Sequence, residues 1–308
     1  MVKLGVSLPQ FQHYTPGADV IAAARAFEEI GFDSVWAFER VLVPEDQSGP
    51  HGLYGVPGLP WPGVYQGVAD ALVTLSMAAA VTSRIELATG VLVVPLHVPL
   101  RLARELATLD AASGGRVVAG LGSGWSPDEF AAVGPVPLTE RGRALDDFLD
   151  IAAEVWGPDP VSFQTKRYTA APSSIGPKPA RRIPVLLGGS GERALARVAR
   201  RADGWVATGI PPAQVATILA GLRRAAEDNG RDPAALTCTV QIGTGDLTES
   251  TENPRRPYTG NIAQLAGDVA ALAELGVDHV YVTLPAATRD ITELIDKAAE
   301  LYERTRKI

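Results

Sequence analysis

Along 308 residues, eight apolar runs of strand length alternate with eight longer stretches of helical period. Such a rhythm is that of βα units repeated around a parallel sheet, because strands covered on both faces read as apolar runs and crossover helices as one apolar stripe. The strand runs occupy 3–8, 34–38, 85–91, 117–121, 183–187, 204–208, 237–242 and 279–283. The helical stretches are 19–30, 66–81, 100–112, 138–156, 192–200, 213–228, 262–275 and 291–306. Gly31 and Gly276 directly follow two of them, and glycine readily takes the left-handed conformation that stops a helix. An open doubly wound sheet is usually smaller or divided in two, so eight alternations over this length predict a (β/α)8 TIM barrel, one domain over 1–308.

Two segments interrupt the rhythm. Pro44, Pro50, Pro57, Pro60 and Pro62 fall within 41–65, which rules out a regular helix there. The segment 157–180 is also Pro-rich and too long for an ordinary connection. Both are expected as loop insertions at the C-terminal face of the barrel, where they would wall or cover a pocket.

Composition removes several classes of function. A formal net charge of −7 with no Lys/Arg block disfavours a phosphate-backbone interface, so no nucleic acid is expected as partner. Cys238 is the single cysteine, which excludes an internal disulfide and any multi-thiolate zinc site. The histidines, His13, His51, His97 and His279, show no ligand spacing, so no metal is expected. No apolar run reaches membrane-spanning length, and the chain runs from Met1 straight into Lys3-Leu-Gly-Val-Ser-Leu8; a cytoplasmic protein acting on a small molecule is expected.

Candidate chemistry collects at the strand ends. Gly188-Gly-Ser190-Gly191 joins an apolar strand to a helix. Free N–H groups at a helix start make an anion cradle, to which Ser190 adds a hydroxyl; a plain tight turn is the alternative. Glu39 and Arg40 directly follow the second strand run, as a structural pair or as catalytic groups. Arg40 cannot act as an acid near neutral pH but can clamp a carboxylate, a carbonyl or a cofactor oxygen, and Glu39 is an acid/base candidate only if burial raises its pKa. His13, after the first strand run, and His97, after the third, are within reach of the barrel mouth, with a polar loop residue as the alternative for each. Trp125 walls the substrate pocket or covers the rim. His279 and Cys238 start their strand runs at the opposite end, so both are expected to be structural. The Gly-x-Ser-x-Gly elbow of serine hydrolases and the dinucleotide fingerprint after the first strand run are both missing.

Several stretches in their order carry a family resemblance. They include Ile85-Glu-Leu-Ala-Thr-Gly90-Val-Leu-Val-Val-Pro95, Leu109-Asp-Ala-Ala-Ser-Gly-Gly-Arg-Val-Val118, Gly120-Leu-Gly-Ser-Gly-Trp125 and Pro184-Val-Leu-Leu-Gly-Gly189. Together they resemble the bacterial luciferase-like superfamily, whose members hold a flavin or the deazaflavin coenzyme F-420 in a parallel barrel. The resemblance implies that the cofactor's phosphate lies at Gly188, Gly189, Ser190 and Gly191, with Gly90, Val91, Ser123 and Gly124 also on the cofactor. It also implies a non-proline cis peptide between Gly90 and Val91, against the ring. Flavin-using luciferases place a basic residue where this chain has Ser123, whereas deazaflavin relatives more often carry a small hydroxyl residue, so coenzyme F-420 is expected ahead of FMN. Relatives commonly have a histidine where this chain has Arg40. The expected activity is hydride transfer between coenzyme F-420 and a small organic substrate. An FMN-dependent monooxygenase is the alternative, and a non-catalytic flavin-binding protein a second one. The superfamily is frequently dimeric, so the resemblance allows a homodimer, although no residue here fixes an interface.

Overall fold

The computed structural model of the chain describes residues 2–307. Its strands are β1 Lys3–Ser7, β2 Ser34–Ala37, β3 Glu86–Thr89, β4 Leu92–Val93, β5 Val117–Gly122, β6 Val161–Gln164, β7 Thr169–Ser173, β8 Val185–Gly188, β9 Gly204–Thr208, β10 Thr237–Gly243 and β11 His279–Thr283. The α-helices are α1 Ala18–Ile30, α2 Ala71–Val81, α3 Pro99–Ser113, α4 Pro127–Val133, α5 Arg141–Trp156, α6 Glu192–Arg201, α7 Pro212–Asp228, α8 Ile262–Glu274 and α9 Ile291–Arg306.

All pairings in the main sheet are parallel, in the order β3-β2-β1-β11-β10-β9-β8-β5-β4. A further pairing of β3 with β5, Leu87 opposite Val117, closes the sheet into the (β/α)8 barrel. Strand side chains alternate between two cores. Val35 and Ala37 face the helix layer, while Trp36 between them joins Ala88, Val118, Leu186, Val206 and Tyr281 inside the barrel. Trp36 and Tyr281 stack with ring centroids 4.0 Å apart and planes 2° from parallel. Space for that stack comes from Gly5, where a Cβ would lie 2.6 Å from Trp36 Nε1.

The N-terminal face is a packed, structural end. His279 is buried with Nε2 2.8 Å from Ser34 Oγ, and burial, reinforced by the charge of Lys3, takes its pKa down to about 3. Cys238 is fully buried and burial pushes its thiol up to about 12, which leaves a packing residue rather than a nucleophile.

Several expected boundaries move for local reasons. Helix α2 starts at Ala71 rather than near 66, because the Asp70 side chain accepts the Val73 N–H at 2.8 Å and caps it there. The run 85–91 yields β3 alone, which stops at Thr89; β4 follows beyond the expected run, after Gly90–Val91, whose peptide bond is cis as expected. Helix α4 was not foreseen. Segment 41–65 does stand over the C-terminal face, but 157–180 is not a wall of the pocket. It contains the antiparallel hairpin β6–β7, and none of its residues lines the main cavity. The physical reason is topological: it connects the end of α5 to the start of β8, and a helix-to-strand connection enters a barrel from the N-terminal face. Lys178 ties its base down, 2.9 Å from Asp159 and donating to the Val155 carbonyl at 3.0 Å. No helix among the described residues is long and apolar enough to cross a membrane.

Candidate active site

A cavity of about 700 Å³ opens at the C-terminal strand ends. Strand termini supply Glu39, Arg40, Gly90, Val91, Gly122, Ser123, Gly124, Trp125, Gly188, Gly189 and Ser190, and the 41–65 insertion adds Tyr54 and Tyr65. Ten of the twelve expected site residues therefore meet in one pocket.

Its floor is shaped around Val91. A Cβ on Gly122 would lie 2.8 Å from Val91 Cγ2, and one on Gly188 would lie 3.5 Å from Val91 Cγ1. Gly122 in β5 thus leaves room for Val91 between β3 and β4, while a side chain on Gly188 in β8 would only reach ordinary contact with it. The Gly90 carbonyl accepts from Tyr281 Oη at 3.3 Å, which links the floor to the aromatic stack beneath it. Gly124 is required twice over: its φ is +73°, and a Cβ there would come 2.9 Å from the Phe130 ring.

Glu39 is held rather than free. One carboxylate oxygen accepts the Val93 N–H at 2.6 Å, and the other is 2.8 Å from His97 Nε2. Burial works against protonation of His97, but the hydrogen bond and charge of Glu39 outweigh it, so its pKa stands above the ordinary histidine value. His97 stands behind the wall and does not line the main cavity. With both oxygens engaged, Glu39 positions the segment after Val91.

Arg40 projects the other way. Its Nε donates to the Glu39 carbonyl at 2.8 Å, and Nη1 lies 3.2 Å from Glu129 Oε2. Glu129 comes from α4 and also accepts the Val41 N–H at 2.8 Å. Burial pushes its carboxyl above the usual range, and the Arg40 charge opposes that rise. The guanidinium carbon sits 5.5 Å from the Trp61 ring centroid and 5.2 Å from that of Trp125. Trp125 is thus pocket wall and guanidinium support together, touching Trp61 at 4.8 Å and Tyr54 at 5.2 Å between centroids.

The glycine turn after β8 leads into α6, a helix whose first N–H groups have no intrahelical acceptor. Trp205 Nε1 donates to the Gly189 carbonyl at 2.9 Å and fixes the turn from below. Gly189 has φ +123°, a conformation side chains disfavour. Gly188, Gly189 and Ser190 line the cavity, whereas Gly191, the cap residue of α6, does not. His13 also lies outside the pocket lining. It is exposed, its Nε2 meets the Thr288 carbonyl at 3.1 Å, and its ring packs 4.3 Å from Tyr14, so the loop after β1 turns it away from the mouth.

Sequence reasoning missed Thr208, Gln241 and Thr283, polar residues at the C-terminal ends of apolar strands, and Glu129. The signal for Glu129 was present: Ser126-Pro-Asp-Glu129 has the spacing of a helix N-terminal capping box. Ser126 does cap α4, accepting the Glu129 N–H at 3.3 Å, but the Glu129 side chain turns to Arg40 and Val41 instead.

Comparison with known proteins agrees with this geometry. Residues 2–245 match the model of the luciferase-like monooxygenase family. An uncharacterized protein of Mycobacterium tuberculosis is 38% identical over 194 residues, 62% of this chain and 68% of the relative. The F420-dependent glucose-6-phosphate dehydrogenase of Kineococcus radiotolerans is 28% identical over 261 residues, 82% of this chain and 72% of that enzyme. Among solved structures, monooxygenase RslO1 from Streptomyces bottropensis superposes with a TM-score of 0.80 at 19% identity, over 99% of both chains, which is a likeness of fold.

Proposed function

Because this chain belongs to the luciferase-like monooxygenase family and is an oxidoreductase, we propose that it transfers hydride between coenzyme F-420 and a small organic substrate. The observation that carries this choice over FMN is the charge of the pocket: among the described residues Arg40 is the single lining cation, it is already beside Glu129, and β5 is followed by Ser123 instead of a basic residue. The phosphodiester of coenzyme F-420 carries one negative charge, whereas a phosphomonoester such as that of FMN approaches two and calls for cationic ligands. Backbone N–H groups and hydroxyls suit the diester better.

The cavity and its glycines fit such a group. Gly188, Gly189 and Ser190 would hold the phosphate, and Val91, raised between Gly122 and Gly188, would support the ring. Bound coenzyme F-420 would supply the hydride chemistry at its deazaflavin ring. The protein fixes the geometry: Glu39 holds the backbone after Val91, and the insertion over the mouth, with Trp125, excludes water from the reacting face. The relative that depends on coenzyme F-420, matched over 82% of this chain, supports the same reading.

An FMN-dependent monooxygenase is the second reading, favoured by the family's own description. Titrating the purified protein with coenzyme F-420 and with FMN, followed by visible absorbance, tests the choice. The expected preference for coenzyme F-420 is about tenfold or more, about 1.4 kcal/mol. Tight FMN binding with oxygen-consuming turnover, and no affinity for the deazaflavin, overturns it.

A further inference from the structure

Glu39 and Arg40 are the charged residues that line the cavity. Both oxygens of Glu39 are committed to Val93 and His97. Arg40 is different. Its one hydrogen bond within the described protein runs from Nε to the Glu39 carbonyl, and Nη1 is buried without a hydrogen-bond partner although Glu129 is 3.2 Å away. Glu129 therefore balances the charge without filling the donor fork. With the side chain only 9% exposed, water has little access to complete the fork. Trp61 and Trp125 also shield the guanidinium. A desolvated planar guanidinium with unused donors is costly alone and binds a coplanar oxyanion strongly.

We infer that Arg40 receives the carboxylate of an organic-acid substrate, with Trp125, Tyr54 and Tyr65 enclosing its apolar body. The inference rests on the proposed oxidoreductase reading and names the substrate class of that site. A carboxylate fits better than a phosphomonoester, which carries nearly two charges and would find no second lining cation. A neutral amide would leave the fork with the weaker of two acceptors, because hydrogen bonds to ionised groups are roughly twice as strong as neutral ones.

The test uses the full chain and matched probes: benzoate against benzamide, phenylacetate against phenylacetamide, hexanoate against hexanamide, and inorganic phosphate as competitor. Binding is read by calorimetry and tryptophan fluorescence, with and without coenzyme F-420. At least one carboxylate should bind about tenfold or more tightly than its amide. Arg40→Gln should erase that preference, and Arg40→Lys, which keeps the charge but not the fork, should reduce it. Thermal melting checks that each variant folds. If neither does, the wild-type acid-to-amide comparison still decides. Equal binding of every acid and its amide overturns the inference, as does phosphate that displaces the acids at comparable concentration. A protein that binds coenzyme F-420 but shows no acid preference loses this inference alone. One that prefers acids but ignores coenzyme F-420 keeps the Arg40 subsite and loses the cofactor reading.

Discussion

The carboxylate of Glu39 is shared between two groups on the other side of Val91: the Val93 N–H at 2.6 Å and His97 Nε2 at 2.8 Å. Glutamine cannot serve both with an ionised acceptor. Glu39→Gln should therefore lower the His97 pKa and loosen the turn after Val91, weakening cofactor binding about tenfold and stability by about 1.5–3 kcal/mol. Because the folded His97 pKa is raised above 6.5, the pair's stabilisation is complete below that value and is lost as pH rises through the folded pKa. An NMR titration of His97 provides the check; an unchanged midpoint in the variant would sink the assignment.

Gly122 is the second lever on Val91. Nothing in its backbone demands glycine, yet a Cβ there would stand 2.8 Å from Val91 Cγ2. Gly122→Ala should displace Val91 and weaken coenzyme F-420 binding about tenfold, while overpacking costs stability about 1–3 kcal/mol. Affinity and melting temperature measured on the same preparation separate the effects. Unaltered affinity with lowered stability would mean that Val91 does not support the ring.

The barrel was legible because its strands are covered on both faces and its helices on one, so periodicity alone separates them. Pocket residues on strand ends followed from the same logic, since the topology sends those ends to one face. His97 and Glu129 show where this reading stopped. His97 looked like a polar loop residue or a group at the mouth, and only the fold of β4 brings it behind Glu39. Glu129 carried a capping-box spacing, but its partner Arg40 is 89 positions earlier, a separation no local pattern encodes. The hairpin in 157–180 was misplaced by treating proline content as a sign of a lid, when the order of its neighbours, helix before and strand after, already put its ends at the other face.

Ser190 offers a cleaner probe of the proposed phosphate site than its neighbours. Gly189 tolerates no side chain without strain, having φ +123° and a Cβ position 2.9 Å from Ala194 Cβ. Ser190 is exposed and lines the cavity, so Ser190→Asp adds charge with little change in packing. An aspartate at the position proposed for the phosphate should weaken coenzyme F-420 binding about tenfold or more through like-charge repulsion, an effect that salt reduces. Titration at low and high ionic strength measures it. Equal affinity for both proteins at low salt would move the phosphate elsewhere.

The last prediction concerns pH and the far end of the barrel. Trp36 Nε1 donates to Ser34 Oγ at 2.6 Å, which leaves the Ser34 hydroxyl to donate to His279 Nε2 at 2.8 Å. That chain requires an unprotonated Nε2, consistent with a His279 pKa pressed down to about 3 by burial and Lys3, with Asp33 opposing weakly. Trp36 stacks on Tyr281, whose hydroxyl meets the Gly90 carbonyl, so the chain ends under the floor of the candidate pocket. An unfolded His279 takes up a proton near 6.5 while the folded one resists until about 3, so the unfolded state binds more protons between those values. Stability should fall as pH drops through that window, by up to about 1.4 kcal/mol per pH unit. His279→Gln should be less stable near neutral pH by about 1 kcal/mol through poorer hydrogen bonding, yet lose less on acidification. Urea unfolding at pH 7, 5.5 and 4.5 compares the slopes; parallel acid losses in both proteins would show that His279 does not set the acid limb.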